Sequence, residues 1–421
     1  MFDSNVLFNW KNNSKFNTVA ILISFINKRN EENIAKYALL SSVLGSVTKN
    51  YDTKRKLNKK MYDLYNCNIY FSSLNMYKNE NLSLFVNFVN PDIVNDEKLL
   101  DNIFELMKEF LYNQLLNGDQ NGFEVKNFNE KKRLILEEID SLYNNKSKYS
   151  TNQLLEKMRR ENEYPLSNGL KKEDVEKTTA NSLYEFYKEI LDNSFVCING
   201  MGNIDSKIIL NKFKDFNFKS KNIDIETFSK IDFELQECKY FEEIQNVEQA
   251  KLRIGFRTYI NNDSPLYPAY VVFHSMFGGI FNSTLSRVIR EEKSLAYSVY
   301  SSILVDRKLF IVSCGVDSDK INEVEKTVLE LLETYKNNNI EDGEQLFKMA
   351  KECILNDMMQ VYDTQGALLL RNLKDSITSL CKYDDLIKRI YNVKLEEVVE
   401  ASKQIYLDTI FVLKGKENGS I

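Results

Sequence analysis

One order of patterned segments runs through this chain twice. An apolar strand over Thr18–Asn27 leads into an amphipathic helix with Ile34, Tyr37, Ala38, Leu40, Val43 and Leu44 at helical spacing. A second helix near Thr53–Tyr65 follows, then an alternating hairpin over Asn68–Tyr77 and Asn81–Asn90. Roughly 230 residues further on the order recurs: strand Lys251–Ile260, helices near Tyr267–Phe277 and Asn282–Glu292, and a hairpin over Leu295–Val305 and Lys308–Val316. Tyr70-Phe71-Ser72-Ser73 answers Val299-Tyr300-Ser301-Ser302. Long amphipathic helices come next in both copies, Glu97–Gln114 and Asn322–Lys336, and each copy closes on a strand, Phe195–Gly200 and Thr409–Gly415.

Such a chain is predicted to be α+β, with two tandem duplicated halves, each a mainly antiparallel sheet with helices packed on one face. Its 421 residues exceed what one core serves, which agrees with two large units. The four prolines mark no linker, so the boundaries come from pattern: 1–222, a polar and irregular connector over 223–247, and 248–421.

The net charge of −5 is spread as interspersed positive and negative residues, which leaves no footprint for a phosphate backbone; no nucleic-acid partner is expected. The longest apolar runs, such as Val19–Ile26, fall far short of a membrane span, and the start lacks a basic stretch followed by an apolar one. A cytoplasmic protein with no membrane partner is the expectation. Cys67, Cys197, Cys238, Cys314, Cys353 and Cys381 never form a Cys-x-x-Cys pair, which excludes a zinc ribbon and fits free thiols in a reducing compartment. No Gly-x-Ser-x-Gly elbow, phosphate loop or dinucleotide fingerprint occurs, so no cofactor is expected.

Residues 277–302 set a cation, Arg290, and a phenol, Tyr297, on either side of a helix-to-strand turn. Arginine offers a permanently charged fork of donors and tyrosine a directed O–H, a pairing suited to a peptide carbonyl or the oxyanion formed from it. The same residues also read as a surface arginine beside Glu291 and Glu292 and a half-buried strand tyrosine. The single histidine, His274, lies on an apolar helix, where a core or interface position is the simpler reading.

The duplicated pattern, together with Gly278-Gly279, Ser283, Leu285, Arg290-Glu291 and Leu295-Ala296-Tyr297, resembles the inverted-zincin metallopeptidases: pitrilysin, insulin-degrading enzyme and mitochondrial processing peptidase. The resemblance spans nearly the whole chain. In active members the first helix carries His-x-x-Glu-His, with two imidazoles on zinc and the glutamate activating water. The matching string here, Ala38 to Thr53, keeps Thr48 and Tyr51 in register, but Ala38 and Ser42 replace the histidines and Ser41 the glutamate. Glu138 falls where the distal metal ligand would sit, while the acidic residue usual seven positions earlier is Lys131. One carboxylate does not hold zinc, and Glu138 also reads as a solvated salt-bridge residue; no metal is expected.

By the same resemblance, Arg290 and Tyr297 stand at the family's substrate-binding arginine and tyrosine, which act across an enclosed chamber. Ser294 stands where active members often have glycine. Asp63-Leu64-Tyr65, Lys146–Tyr149 and Tyr164 followed by Gly169 resemble a metal-free bacterial branch named for an association with elongation factor P modification. Its members often accompany a sibling with an intact zinc motif. The resemblance thus implies a non-catalytic subunit of a heterodimeric zinc peptidase, with Arg290 and Tyr297 serving a partner's zinc site. The partner would be a related zinc-containing chain or a second copy, and the substrate a peptide or protein. A peptide-binding or scaffold protein linked to elongation factor P modification, without proteolysis, and an independent metallopeptidase with unconventional ligands are the other functions left open.

Overall fold

The computed structural model describes residues 5–76, 78–160, 163, 165–167, 169–225, 233–378 and 382–415. Tyr77, Tyr164 and Cys381, and part of the expected connector, lie outside them. The chain divides into two compact units, each discontinuous in sequence. The first gathers the described residues of Met1–Asp140, Gly169–Thr227 and Tyr362–Thr378, and the second those of Ser141–Asn168, Phe228–Val361 and Ser379–Ile421.

Each unit is built on a five-stranded sheet. In the first, β1 (Leu7–Asn12), β2 (Thr18–Lys28), β3 (Asn68–Met76), β4 (Asn79–Val89) and β5 (Phe195–Gly202) lie in the order β1-β5-β2-β4-β3. In the second, β6 (Lys239–Ile244), β7 (Ala250–Thr258), β8 (Ala296–Leu304), β9 (Leu309–Val316) and β10 (Ile405–Lys414) lie in the order β6-β10-β7-β9-β8. The two orders are one topology repeated. In each sheet only the first-named strand pairs parallel, β1 with β5 and β6 with β10; the other pairings are antiparallel.

Alternation along the central strands assigns the two faces of each sheet. In β7, Leu252, Ile254 and Phe256 enter the core shared with the Tyr267–His274 and Ile321–Lys336 helices. In β2, Val19, Ile21, Ile23 and Phe25 do the same against the Ile34–Val43, Leu99–Tyr112 and Ala180–Asn193 helices. The last of these starts at a capping box, in which the Thr179 side chain and Ser182 side chain bond each other's backbone N–H at 3.1 and 3.0 Å. Each buried Leu, Ile or Phe contributes ~1.5–3 kcal/mol by leaving water.

The opposite faces are covered too, which the expectation of helices on one face did not include. In the second unit the Lys146–Met158 helix lies over Phe411 and Leu413 of β10 through Leu154, Leu155 and Met158. Two arginines of β7 hold it. Arg253 donates to Thr151 Oγ1 (3.0 Å) and to the Ser147 carbonyl and hydroxyl (3.2 and 3.0 Å). Arg257 donates to the Met158 carbonyl (2.5 Å) and pairs with Glu163 (2.8 Å) and Asp408 (3.0 Å). Between them Gly255 has no Cβ, and one would collide with the Met158 sulfur. In the first unit the corresponding cover is the Gln365–Ile377 helix, held mostly by neutral amides and hydroxyls, Thr18 and Asn87 to Gln365 (2.5 and 2.9 Å) and Asn9 to Ser376 (3.0 Å), with one ammonium, Lys11, donating to Asn372 (2.6 Å).

A division at 222 and 248 therefore does not follow the contacts, because 141–168 packs in the second unit and 362–378 in the first. Amphipathicity shows that such a helix must be covered but not by which sheet. The expected connector also contains β6, whose edge position and polar sequence, Lys-Tyr-Phe-Glu-Glu-Ile, hid it.

Candidate functional site

The residues singled out in the sequence fall in two places, one in each unit. The first is the Ile34–Val43 helix, nearly all of whose length is buried by Ile34, Ala35, Tyr37, Leu39, Leu40 and Val43. Tyr37 meets Phe186 edge-on at 5.3 Å between ring centres. Ala38, Ser41 and Ser42 are the half-buried positions along its remaining stripe. The Ser41 hydroxyl donates to the Ala38 carbonyl at 2.9 Å, so it is spent on the helix itself.

Thr48 and Tyr51, the retained framework residues, close the turn after this helix. The Thr48 N–H donates to the Tyr51 carbonyl at 3.0 Å, and the Tyr51 N–H to Thr48 Oγ1 at 3.3 Å. Glu109, nearly fully buried, accepts from the Asn50 N–H and side-chain amide, each at 2.8 Å. Thr53 then caps the Lys54–Asp63 helix. These residues have local structural work whether or not a metal is bound.

The donors do not fit zinc. A methyl group, two neutral hydroxyls of which one is bonded to backbone, and a single carboxylate offer one anionic ligand and no nitrogen or sulfur, too few for a four-coordinate site. Glu138 is on an exposed face of the Val125–Asn144 helix. Among the described residues no group of three or more His, Cys, Asp or Glu side chains could hold a metal ion.

The second place, residues 275–298, is irregular throughout. The Tyr267–His274 helix continues as a π-helical turn over Ser275–Gly279, and a second π-helix, Ser286–Glu292, carries Arg290. Its widened end is marked by Lys293 N–H to the Val288 carbonyl (3.1 Å) and Leu295 N–H to the Ile289 carbonyl (2.8 Å). Ser294 then adopts φ +50°, the left-handed region. The turn expected of a glycine is thus made by serine, at a cost of about 1–2 kcal/mol. Tyr297 follows as the extra residue of a β-bulge: Ala296 faces Val316 and Ser298 faces Gly315, with no partner for Tyr297. A π-turn, a left-handed serine and a bulge within thirteen residues are the kinds of irregularity that concentrate at functional sites.

Arg290 lies over the Phe281 ring, 5.0 Å from its centre, and its one ion pair among the described residues is a long contact to Glu291 at 3.8 Å. Its neighbour Arg287 is instead locked between Glu292 and Glu341, both at 2.8 Å. The bulge turns Tyr297 outward, 60% exposed, and its hydroxyl donates to Asp317 at 3.2 Å. His274 supports this segment from within. Its Nε2 bonds the Ser301 carbonyl of β8 at 3.1 Å, and burial lowers its proton affinity, which favours the neutral ring. A Cβ on Gly279 would meet its ring and one on Gly278 the Ser301 N–H, so the glycine pair lets the turn close on the strand.

Asp317, the bulge and the π-turn were not foreseen from sequence. The bulge did leave a signal: the apolar alternation slips a phase between Ala296 and Val299, leaving Tyr297 and Ser298 both outward. Asp317 left none.

Comparisons with known proteins agree with this anatomy. Residues 177–352 match the family described as Peptidase M16 inactive domain. The chain is 26% identical over 409 residues to "Probable inactive metalloprotease YmfF" of Bacillus subtilis, covering 96% of this chain and 95% of that protein. It is 25% identical over 297 residues to "Uncharacterized zinc protease YmxG" of the same organism, covering 68% and 69%. A crystal structure of a conserved protein from Enterococcus faecalis superposes with a TM-score of 0.91 at 24% identity, covering 99% of this chain and 98% of that one. The chain is thus similar over nearly its whole length to proteins described as inactive M16 peptidases, and Ala38, Ser41 and Ser42 stand at its zinc-motif positions.

Among the described residues no helix is long and apolar enough to cross a membrane.

Proposed function

We propose that this chain is the non-catalytic subunit of a two-chain cytoplasmic zinc peptidase, bringing Arg290 and Tyr297 to a peptide held at a related partner's zinc centre. The observation that carries the reading is the contrast between the two places. The zinc positions have become ordinary helix residues, whereas the Arg290–Tyr297 segment has a costly irregular backbone that leaves Arg290 half-exposed and turns Tyr297 toward solvent. That one organism has both a relative described as inactive and one described as a zinc protease supports a paired arrangement.

In this reading Arg290 supplies charged N–H donors to the peptide carbonyl, and Phe281 beneath it holds the guanidinium plane without neutralising it. Tyr297 supplies a single O–H. Zinc, held by the partner, would polarise the carbonyl and activate water, and this chain's part is to orient the peptide and stabilise the oxyanion. Peptide hydrolysis by each chain separately and by the two mixed tests it. Activity that needs the mixture supports the reading. Saturable peptide binding by this chain with no hydrolysis in any mixture would instead favour a scaffold.

A further inference from the structure

Tyr297 has one hydroxyl hydrogen, and in this structure it is engaged. The phenol oxygen is 3.2 Å from Asp317 Oδ1 and 3.5 Å from Oδ2. An ionised carboxylate only accepts, so the phenol donates to Asp317 and shows lone pairs to anything else that approaches. A peptide carbonyl is also only an acceptor. Asp317 and the carbonyl therefore compete for the same hydrogen.

Lys320 sets the balance between them. Its ammonium is 3.7 Å from Asp317 Oδ2 and donates to the Ser294 carbonyl at 3.4 Å, tying the carboxylate to the left-handed turn. Asp317 immediately precedes the short 3-10 turn Ser318–Lys320 that follows β9, Lys320 is the last residue of that turn, and Asp317 comes immediately after Val316, the residue opposite the start of the bulge. The bulge is what brings the phenol beside the carboxylate. When the phenol swings to another acceptor, Asp317 remains paired with Lys320 and so does not lose its only partner.

We infer that Asp317 is a gate on Tyr297, holding its hydroxyl hydrogen until a peptide carbonyl takes it, and that Lys320 is the group that lets Asp317 give it up. This rests on the peptide-binding reading of Arg290 and Tyr297 and names how that site is regulated. It makes Asp317 and Lys320 act with opposite sign. Removing the carboxylate frees the phenol and tightens peptide binding; removing the ammonium leaves the carboxylate holding the phenol harder and weakens it. A bracing role would weaken binding in both cases.

The test uses the full chain with fluorescein-labelled casein peptides, read by fluorescence anisotropy. Asp317→Ala is expected to bind ~3- to ~10-fold more tightly and Lys320→Ala more weakly by a similar factor, the range of one exchanged hydrogen bond. A single 3-fluorotyrosine at position 297 gives a second readout. Its ¹⁹F resonance should move in Asp317→Ala and should also move when peptide is added to the otherwise unaltered chain. Equal or weaker binding by Asp317→Ala, with unaltered protein still binding, overturns the gate and leaves the peptide-binding reading standing. No binding by any form, together with no hydrolysis in the mixture with the zinc-motif relative, removes both.

Discussion

The Ile34–Val43 helix and the 275–298 segment are the instructive pair. Each follows the second strand of its sheet in one repeated topology, and each leads toward a hairpin. The first is a regular α-helix whose Ser41 bonds its own backbone, and its chemistry has been reduced to packing. The second carries two π-turns, a serine at positive φ and a bulge, yet its cores are as well buried. Irregularities of this kind cost free energy, and here they gather beside a half-exposed arginine and an exposed tyrosine, which is why the proposed function is placed in the second region.

The largest expected effect strikes the second region. Arg290→Ala should lower peptide hydrolysis by the mixed chains by ~10²–10³-fold while leaving their assembly, followed by size exclusion, intact. Unchanged activity would put the two regions on the same footing and break the comparison.

The helices that cover the outer sheet faces extend the contrast from site to scaffold. Arg257→Ala leaves the largely buried Glu163 without its cation and Asp408 with Arg160 alone, and should cost about 3–5 kcal/mol of unfolding free energy. Gln365→Ala in the first unit removes neutral hydrogen bonds to Thr18 and Asn87 and should cost only about 1–3 kcal/mol in the same denaturant titrations.

A smaller effect tests whether the left-handed serine is imposed by the fold. Ser294→Gly should stabilise the protein by about 1 kcal/mol, since glycine takes φ +50° freely. His274 should make stability depend on pH. Burial lowers its proton affinity below the ordinary value of 6.5, so the unfolded chain takes up the proton first as pH falls. This contribution is complete above about pH 6.5 and is lost progressively below it, and His274→Gln should flatten that part of the profile. The least effect belongs to the emptied helix: Ser41→Ala with Ser42→Ala should leave mixed-chain activity unchanged and stability within about 0.5 kcal/mol.

Much of this was legible in the sequence because periodicity reports burial. The strands at Thr18, Asn68, Lys251 and Leu309 and the helices at Ile34, Leu99 and Ile321 all show it, and the repeat of their order gave the paired sheets. Edge strands β1 and β6, short and partly polar, did not. The burial of Arg253 and Arg257 leaves no mark in the sequence, because a charge buried by a distant segment is indistinguishable there from one left in water. At the candidate site the types of residue were legible, but how the backbone aims them was not. Bulges and π-turns arise from register and packing that only the assembled sheet supplies.

The most direct test of the central claim is zinc content measured on the purified pair and on each chain alone, alongside peptidase activity. No stoichiometric zinc is expected in this chain, with zinc in the partner and activity in the pair that Arg290→Ala removes. Stoichiometric zinc in this chain by itself, with hydrolysis that needs no partner, would contradict it.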